Sequence, residues 1–68
     1  MRYLIVENGS TLSHHRLWSR AFDAWRKKVA QARQAGSEFH GDLIDTAENY
    51  VVVSGKEFFI AFPIRKEN

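Results

Sequence analysis

The sequence predicts a single α+β domain with the order β-α-β-β-β, one long amphipathic helix packed on a small antiparallel sheet. Three observations predict it. Trp18, Ala21, Phe22, Trp25, Val29 and Ala32 recur every three or four positions, which sets them on one stripe of a helix. Tyr50 to Val53 and Phe58 to Phe62 are short aromatic and β-branched runs, the composition of a pleated, half-buried surface. The chain has 68 residues and no cysteine, enough for one core and unsuited to a disulfide scaffold.

The elements follow in order. Arg2 to Val6 reads as a first strand that ends at the Asn8-Gly9 turn. Ser10 or Thr11 offers a hydroxyl to cap a helix start. From about Leu12 to Ala35 no proline or glycine interrupts, and Ala21, Ala24, Ala30, Ala32 and Ala35 are strong helix formers. Gly36 stands where a left-handed C-terminal cap is expected. Such a helix would run about 36 Å, longer than any of the strands, and would cross the sheet diagonally. Beyond Gly36 the period becomes two: Phe39 to Asp45 alternates loosely, Thr46-Ala47-Glu48-Asn49 is a polar turn, and Tyr50 to Val53 is a strand. Ser54-Gly55-Lys56-Glu57 reads as a tight turn into a last strand, Phe58 to Phe62, closing a hairpin before Pro63. The first strand is expected among or beside the others.

Composition narrows the functional classes. The apolar runs are too short for a membrane helix, and the N-terminus lacks the pattern of a secretory signal. With 44% hydrophobic residues and a net charge of +2, the chain can bury a core. A soluble, cytoplasmic domain is the expectation. Charge is polarised along it: residues 1–35 hold seven basic side chains against two acidic ones, residues 36–68 three against six. Such asymmetry bears on partners rather than on fold.

Two surfaces are left over once one helix covers one sheet face. Alternation puts Tyr3 and Ile5 opposite Leu4 and Val6, Val52 opposite Val51 and Val53, and Phe59 opposite Phe58 and Ile60. Both faces are then apolar, which calls for a second copy, a partner or a curled sheet over the second one; a modest exposed patch on a monomer is the alternative. On the outer side of the helix, Arg16, Arg20, Asp23 and Lys27 line up, with Arg26 and Arg33 flanking on one side and Lys28 on the other. Arg16, Arg20, Arg26, Lys27, Arg33 and Phe59 are therefore the candidate residues for binding a partner or nucleic acid. An ordinary solvated helix face is the competing explanation. No aromatic interleaves with the basic stripe, so base stacking from it is not indicated.

Chemistry-bearing patterns are sparse. His14 and His15 point about 100° apart on a helix and cannot share a metal ion there. His40 and Asp42 would share a strand face, half of an acid–base pair without a nucleophile. Ser54-Gly55-Lys56 lacks the context of a phosphate loop. Asp42, Asp45 and Glu48 read as a solvated acidic rim, and Trp18 and Trp25 as packing against the sheet. No catalytic residue, cofactor or metal site is expected, and the chain is not read as an enzyme.

The opening β-segment, the amphipathic helix, the tripeptide Phe39-His40-Gly41 and a closing hairpin such as Tyr50 to Phe62 resemble small phage-encoded anti-CRISPR proteins directed at type I surveillance complexes. That resemblance implies a non-enzymatic inhibitor, phage or mobile-element encoded, that docks on a host protein–RNA complex in the host cytoplasm and blocks target DNA. It carries over no functional residue. The expectation is thus a binding protein that inhibits a host protein or protein–RNA complex, sensitive to charge reversal at Arg16, Arg20 or Lys27. The alternative is a small nucleic-acid-binding protein using the same stripe and the Arg65-Lys66 tail, possibly as a homodimer through the second sheet face. A pI near 9.3 and an acidic half make the chain less basic than dedicated DNA binders, which favours the first.

Overall fold

The computed structural model describes residues 2–64. An antiparallel four-stranded sheet lies against a long helix, as the α+β class requires, but the order of elements is β-β-α-β-β-α. The elements are β1 Tyr3–Glu7, β2 Ser10–His15, α1 Trp18–Gln34, β3 Asp42–Asp45, β4 Tyr50–Ser54 and α2 Gly55–Ala61. The sheet order is β2-β1-β3-β4, with the first strand inside it.

Two expectations are corrected. Residues 10–15 are strand, so α1 begins at Trp18 rather than near Leu12. The cause is Asn8-Gly9: both residues have positive φ, 51° and 79°, and Glu7 pairs directly with Ser10. Two consecutive left-handed residues match the twist of a tight hairpin and return the chain along β1. At 17 residues, α1 is about 25 Å long. Its other end is as expected: Gly36 has φ 72°, and Ser37 N–H donates to Ala32 O at 2.8 Å and Gly36 N–H to Arg33 O at 3.1 Å. These two bonds satisfy carbonyls that a helix end would otherwise leave free.

The second correction is at the C-terminal end. Residues 55–61 are helix, not the last strand of a hairpin. Ser54 is its N-cap, the side chain accepting from Glu57 N–H at 3.3 Å, so Ser54-Gly55-Lys56-Glu57 is a helix start and not a turn between strands. Gly55 is buried, and its N–H donates to Gly41 O at 2.9 Å.

The core lies between the sheet and α1. It holds Tyr3 and Ile5 of β1, Leu43 of β3, Ala21, Trp25 and Val29 of α1, with Phe39 and Phe59. Ile5 and Leu43 are cross-strand partners, and both are fully buried. Trp25 faces inward as expected and donates its indole N–H to Gly41 O at 3.0 Å. Trp18 also meets the sheet, edge-on against Tyr3 of β1 with ring centroids 5.9 Å apart, but remains 43% exposed. The opposite sheet face carries a row across all four strands, His14, Leu4, Ile44 and Val51. Val51 is 48% exposed there.

Asp45, expected on a solvated rim, is only 4% exposed. Its carboxylate accepts from Arg2 Nε and Nη2, each at 3.2 Å, and from the backbone N–H of Ala47 and Glu48. This arrangement ties the start of β1 to the β3–β4 turn. The hydrogen bond from Arg2, chiefly, holds the Asp45 carboxyl below its ordinary value of 3.8. A carboxyl that titrates lower in the folded state contributes stability above its unfolded value, and loses it as pH falls through the folded one. Acid melts should therefore show wild type losing stability below the ordinary carboxylate range. Asp45→Asn should be less stable at neutral pH, with a flatter fall in acid; parallel pH profiles would contradict this.

Candidate docking surface

α1 presents its core side, Ala21, Trp25 and Val29, to the sheet and leaves two flanks. On the β2 side an open groove of about 690 Å³ is lined by His14, His15, Arg16, Leu17, Arg20, Asp23, Ala24 and Lys27. Arg16 lies in the bend between β2 and α1, not on the helix, yet it reaches the same groove as Arg20 and Lys27. Lys27 pairs with Asp23 at 3.2 Å across one turn, with both side chains largely exposed, so the pair adds little stability. Arg16 and Arg20 are exposed and meet no acidic side chain among the described residues. The groove is thus cationic and supplied from two elements, with the guanidinium donors open to solvent.

The other flank faces α2. Arg26 lies 6.0 Å from the Phe22 ring centroid and Arg33 5.8 Å from that of Phe59. Arg33 Nη1 also donates to Phe62 O at 2.9 Å, tying the end of α2 to α1. Phe22 stacks on Trp18 (5.2 Å between centroids, 18°) and on Trp25 (6.1 Å, 12°). Trp25 meets Phe58 edge-on at 5.6 Å, and Phe58 lies 5.1 Å from Phe62. The row of rings therefore runs from the edge of the sheet to the end of α2.

The candidate residues separate accordingly. Arg16 and Arg20 line the β2-side groove and Arg26 and Arg33 the α2 side, while Lys27 lines both. Phe59 is a correction: at 2% exposed it packs in the core and has no surface for a partner. It was expected on a sheet face, but α2 turns it inward and exposes Phe62 (58%) and Ile60 (72%) instead. The sequence reading missed Phe22, Phe58 and Phe62 as surface residues. The Ser54-x-x-Glu57 capping pattern was the signal that could have found the last two. Arg65 and Lys66 lie outside the described residues.

The histidines also fall differently. His14 and His15 are successive residues of β2 and point to opposite sheet faces, His15 Nε2 meeting Ser13 Oγ at 3.0 Å. His40 precedes β3 and does not share a strand face with Asp42; its Nε2 pairs with Glu38 Oε1 at 2.6 Å on the surface. Among the described residues, no group of three His, Asp or Glu is placed to hold a metal ion, and no helix is long and apolar enough to cross a membrane. Comparison with protein families, curated proteins and solved structures finds no match to this chain.

Proposed function

We propose that the protein is a non-enzymatic binding protein that docks on a host protein or protein–RNA complex through the cationic side of α1 and inhibits it. This is the role implied by the resemblance to phage anti-CRISPR proteins. The observation that carries the proposal is the pair Arg16 and Arg20. Both are exposed and unmatched by acid among the described residues, and both project into one groove built from β2 and α1. Asp23, the acidic residue of this groove, is paired with Lys27, so Arg16 and Arg20 dominate the local field, attract an anionic surface and set its orientation on docking. A second reading, a nucleic-acid-binding protein, is supported by the same groove, where the exposed Arg16 and Arg20 leave their N–H donors open to phosphate oxygens.

Affinity capture from a nuclease-treated bacterial lysate tests the proposal with wild type and Arg16→Glu/Arg20→Glu, after checking that both melt alike. The expected result is a stoichiometric protein partner held by wild type and lost by the variant. Recovery of nucleic acid alone, released by nuclease or by salt with a steep log–log slope, would replace docking by the second reading.

A further inference from the structure

The α2 side of α1 carries a second groove, of about 620 Å³, with a different chemistry. Its floor is Phe22, Trp25, Val29 and Phe58, and Arg26 and Arg33 stand at its rim. Trp25 and Val29 are 3% and 5% exposed, so the apolar surface open to a ligand belongs to the half-buried Phe22 and Phe58. It continues onto the exposed Phe62.

The charge is one-sided. Asp23 at the edge of the groove is paired with Lys27. Neither Arg26 nor Arg33 meets a carboxylate among the described residues. Arg33 is held by Phe62 O and the Phe59 ring, which fixes its guanidinium at the mouth. Arg26 has no such structural duty: its ring contact with Phe22 leaves all of its N–H donors to solvent or to a ligand. Oriented guanidiniums beside an apolar floor are complementary to carboxylates flanking an apolar side chain.

The geometry narrows the occupant. Phe22 already stacks on Trp18 and Trp25 and carries Arg26 over its ring, an arrangement that competes with a stacking nucleobase. The cleft between two helices, floored by Phe22 and Phe58, suits an inserted aliphatic or aromatic side chain. Arg26 and Arg33 are two turns apart on α1, about 10 Å of rise. Two acidic residues at i and i+7 of a docking helix have the same separation, with positions i+3 and i+4 falling between them.

We infer that the groove between α1 and α2 binds an acidic amphipathic helical segment of a protein partner. Its apolar residues seat against Phe22 and Phe58, and its carboxylates reach Arg26 and Arg33. The inference rests on reading the chain as a binding protein but uses the opposite flank of α1 from Arg16 and Arg20, so the two surfaces can fail separately.

The probe is a fluorescein-labelled synthetic helix with Glu at i and i+7 and Leu at i+3 and i+4, compared with the same peptide carrying Lys for Glu. Anisotropy should show the acidic peptide bound at least roughly tenfold tighter than its Lys counterpart, the order expected for two charge-assisted contacts. Amide and indole shifts should cluster at Phe22, Trp25 and Phe58. Arg26→Glu should abolish the preference, and Arg16→Glu/Arg20→Glu should leave it within about twofold, being outside the groove. Arg26→Gln, which removes the charge but keeps most of the stem, guards against a folding defect in the first variant. Equal binding of the two peptides, no binding of either, or shifts confined to the His14–Arg20 groove would overturn the inference.

Discussion

Trp25→Ala should leave the chain largely unfolded. Removing a buried Trp side chain costs about 3–5 kcal/mol, whereas a domain of this size is stable by only roughly 3–10 kcal/mol. Trp25 is 3% exposed, stacks on Phe22, meets Phe58 edge-on and bonds Gly41 O. The deletion would therefore open the layer between sheet and helix and detach α2 from α1 at once. Trp25→Phe keeps much of the bulk and loses the indole bond. Gly41 O still accepts from Gly55 N–H, so this variant should fold with a loss of about 1 kcal/mol beyond the volume change. Urea unfolding followed by circular dichroism separates the two. A Trp25→Ala chain that unfolds cooperatively at the wild-type midpoint would show that the core is elsewhere.

Gly55→Ala should destabilise the protein although it replaces glycine by the best helix former. Helix propensity alone favours alanine by about 1 kcal/mol. The site reverses the sign: a Cβ at Gly55 would lie 2.3 Å from Phe39 O, 2.7 Å from Gly41 O and 2.9 Å from Gly41 N. These are backbone atoms and cannot swing aside as a side chain end would. To admit the methyl group, α2 must move off the 39–41 segment and lengthen the bond from Gly55 N–H to Gly41 O. Overpacking of this kind costs about 1–3 kcal/mol and sometimes more. A lowered unfolding midpoint is the expected result, while a raised one would mean that α2 is free to shift.

Much of this could be read from the sequence because it depended on local chemistry. The stripe Ala21, Trp25 and Val29, the cap at Gly36 and the alternation of Tyr3 and Ile5 each follow from periodicity or from a single backbone demand. The two misread elements depended on weighing one local signal against another. Residues 10–16 contain no proline or glycine, so the helical pattern of α1 extends toward Leu12. Asn8-Gly9 outweighed it by closing a hairpin. Phe58 to Phe62 has strand composition, but the capping pattern Ser54-x-x-Glu57 and the packing of Gly55 on Gly41 start a helix there.

The candidate surfaces were legible to the same degree. Helical spacing located Arg20, Lys27, Arg26 and Arg33, and Arg16 reached its groove from outside the helix. The apolar groove was invisible, because its second wall exists only when residues 55–61 are helical, and Phe59 was misplaced for the same reason.

The interior position of β1 also governs when this chain can fold. Tyr3 opposes His15 on one side and Asp45 on the other. The β1–β2 hairpin closes through two residues and can form within about 1–10 μs. Its buried row can pack on α1, but the other edge of β1 has no partner until Leu43 arrives about 40 residues after Ile5, which a ribosome adding about 5–20 residues per second reaches in roughly 2–8 s. Through that interval β1 offers an unpaired edge to any neighbouring strand. Closure of β1 on β3 is the long-range, entropically costly step, and it joins two locally formed hairpins. Slowed translation or a high concentration of nascent chains should therefore increase aggregation through an edge that the finished sheet buries in its interior.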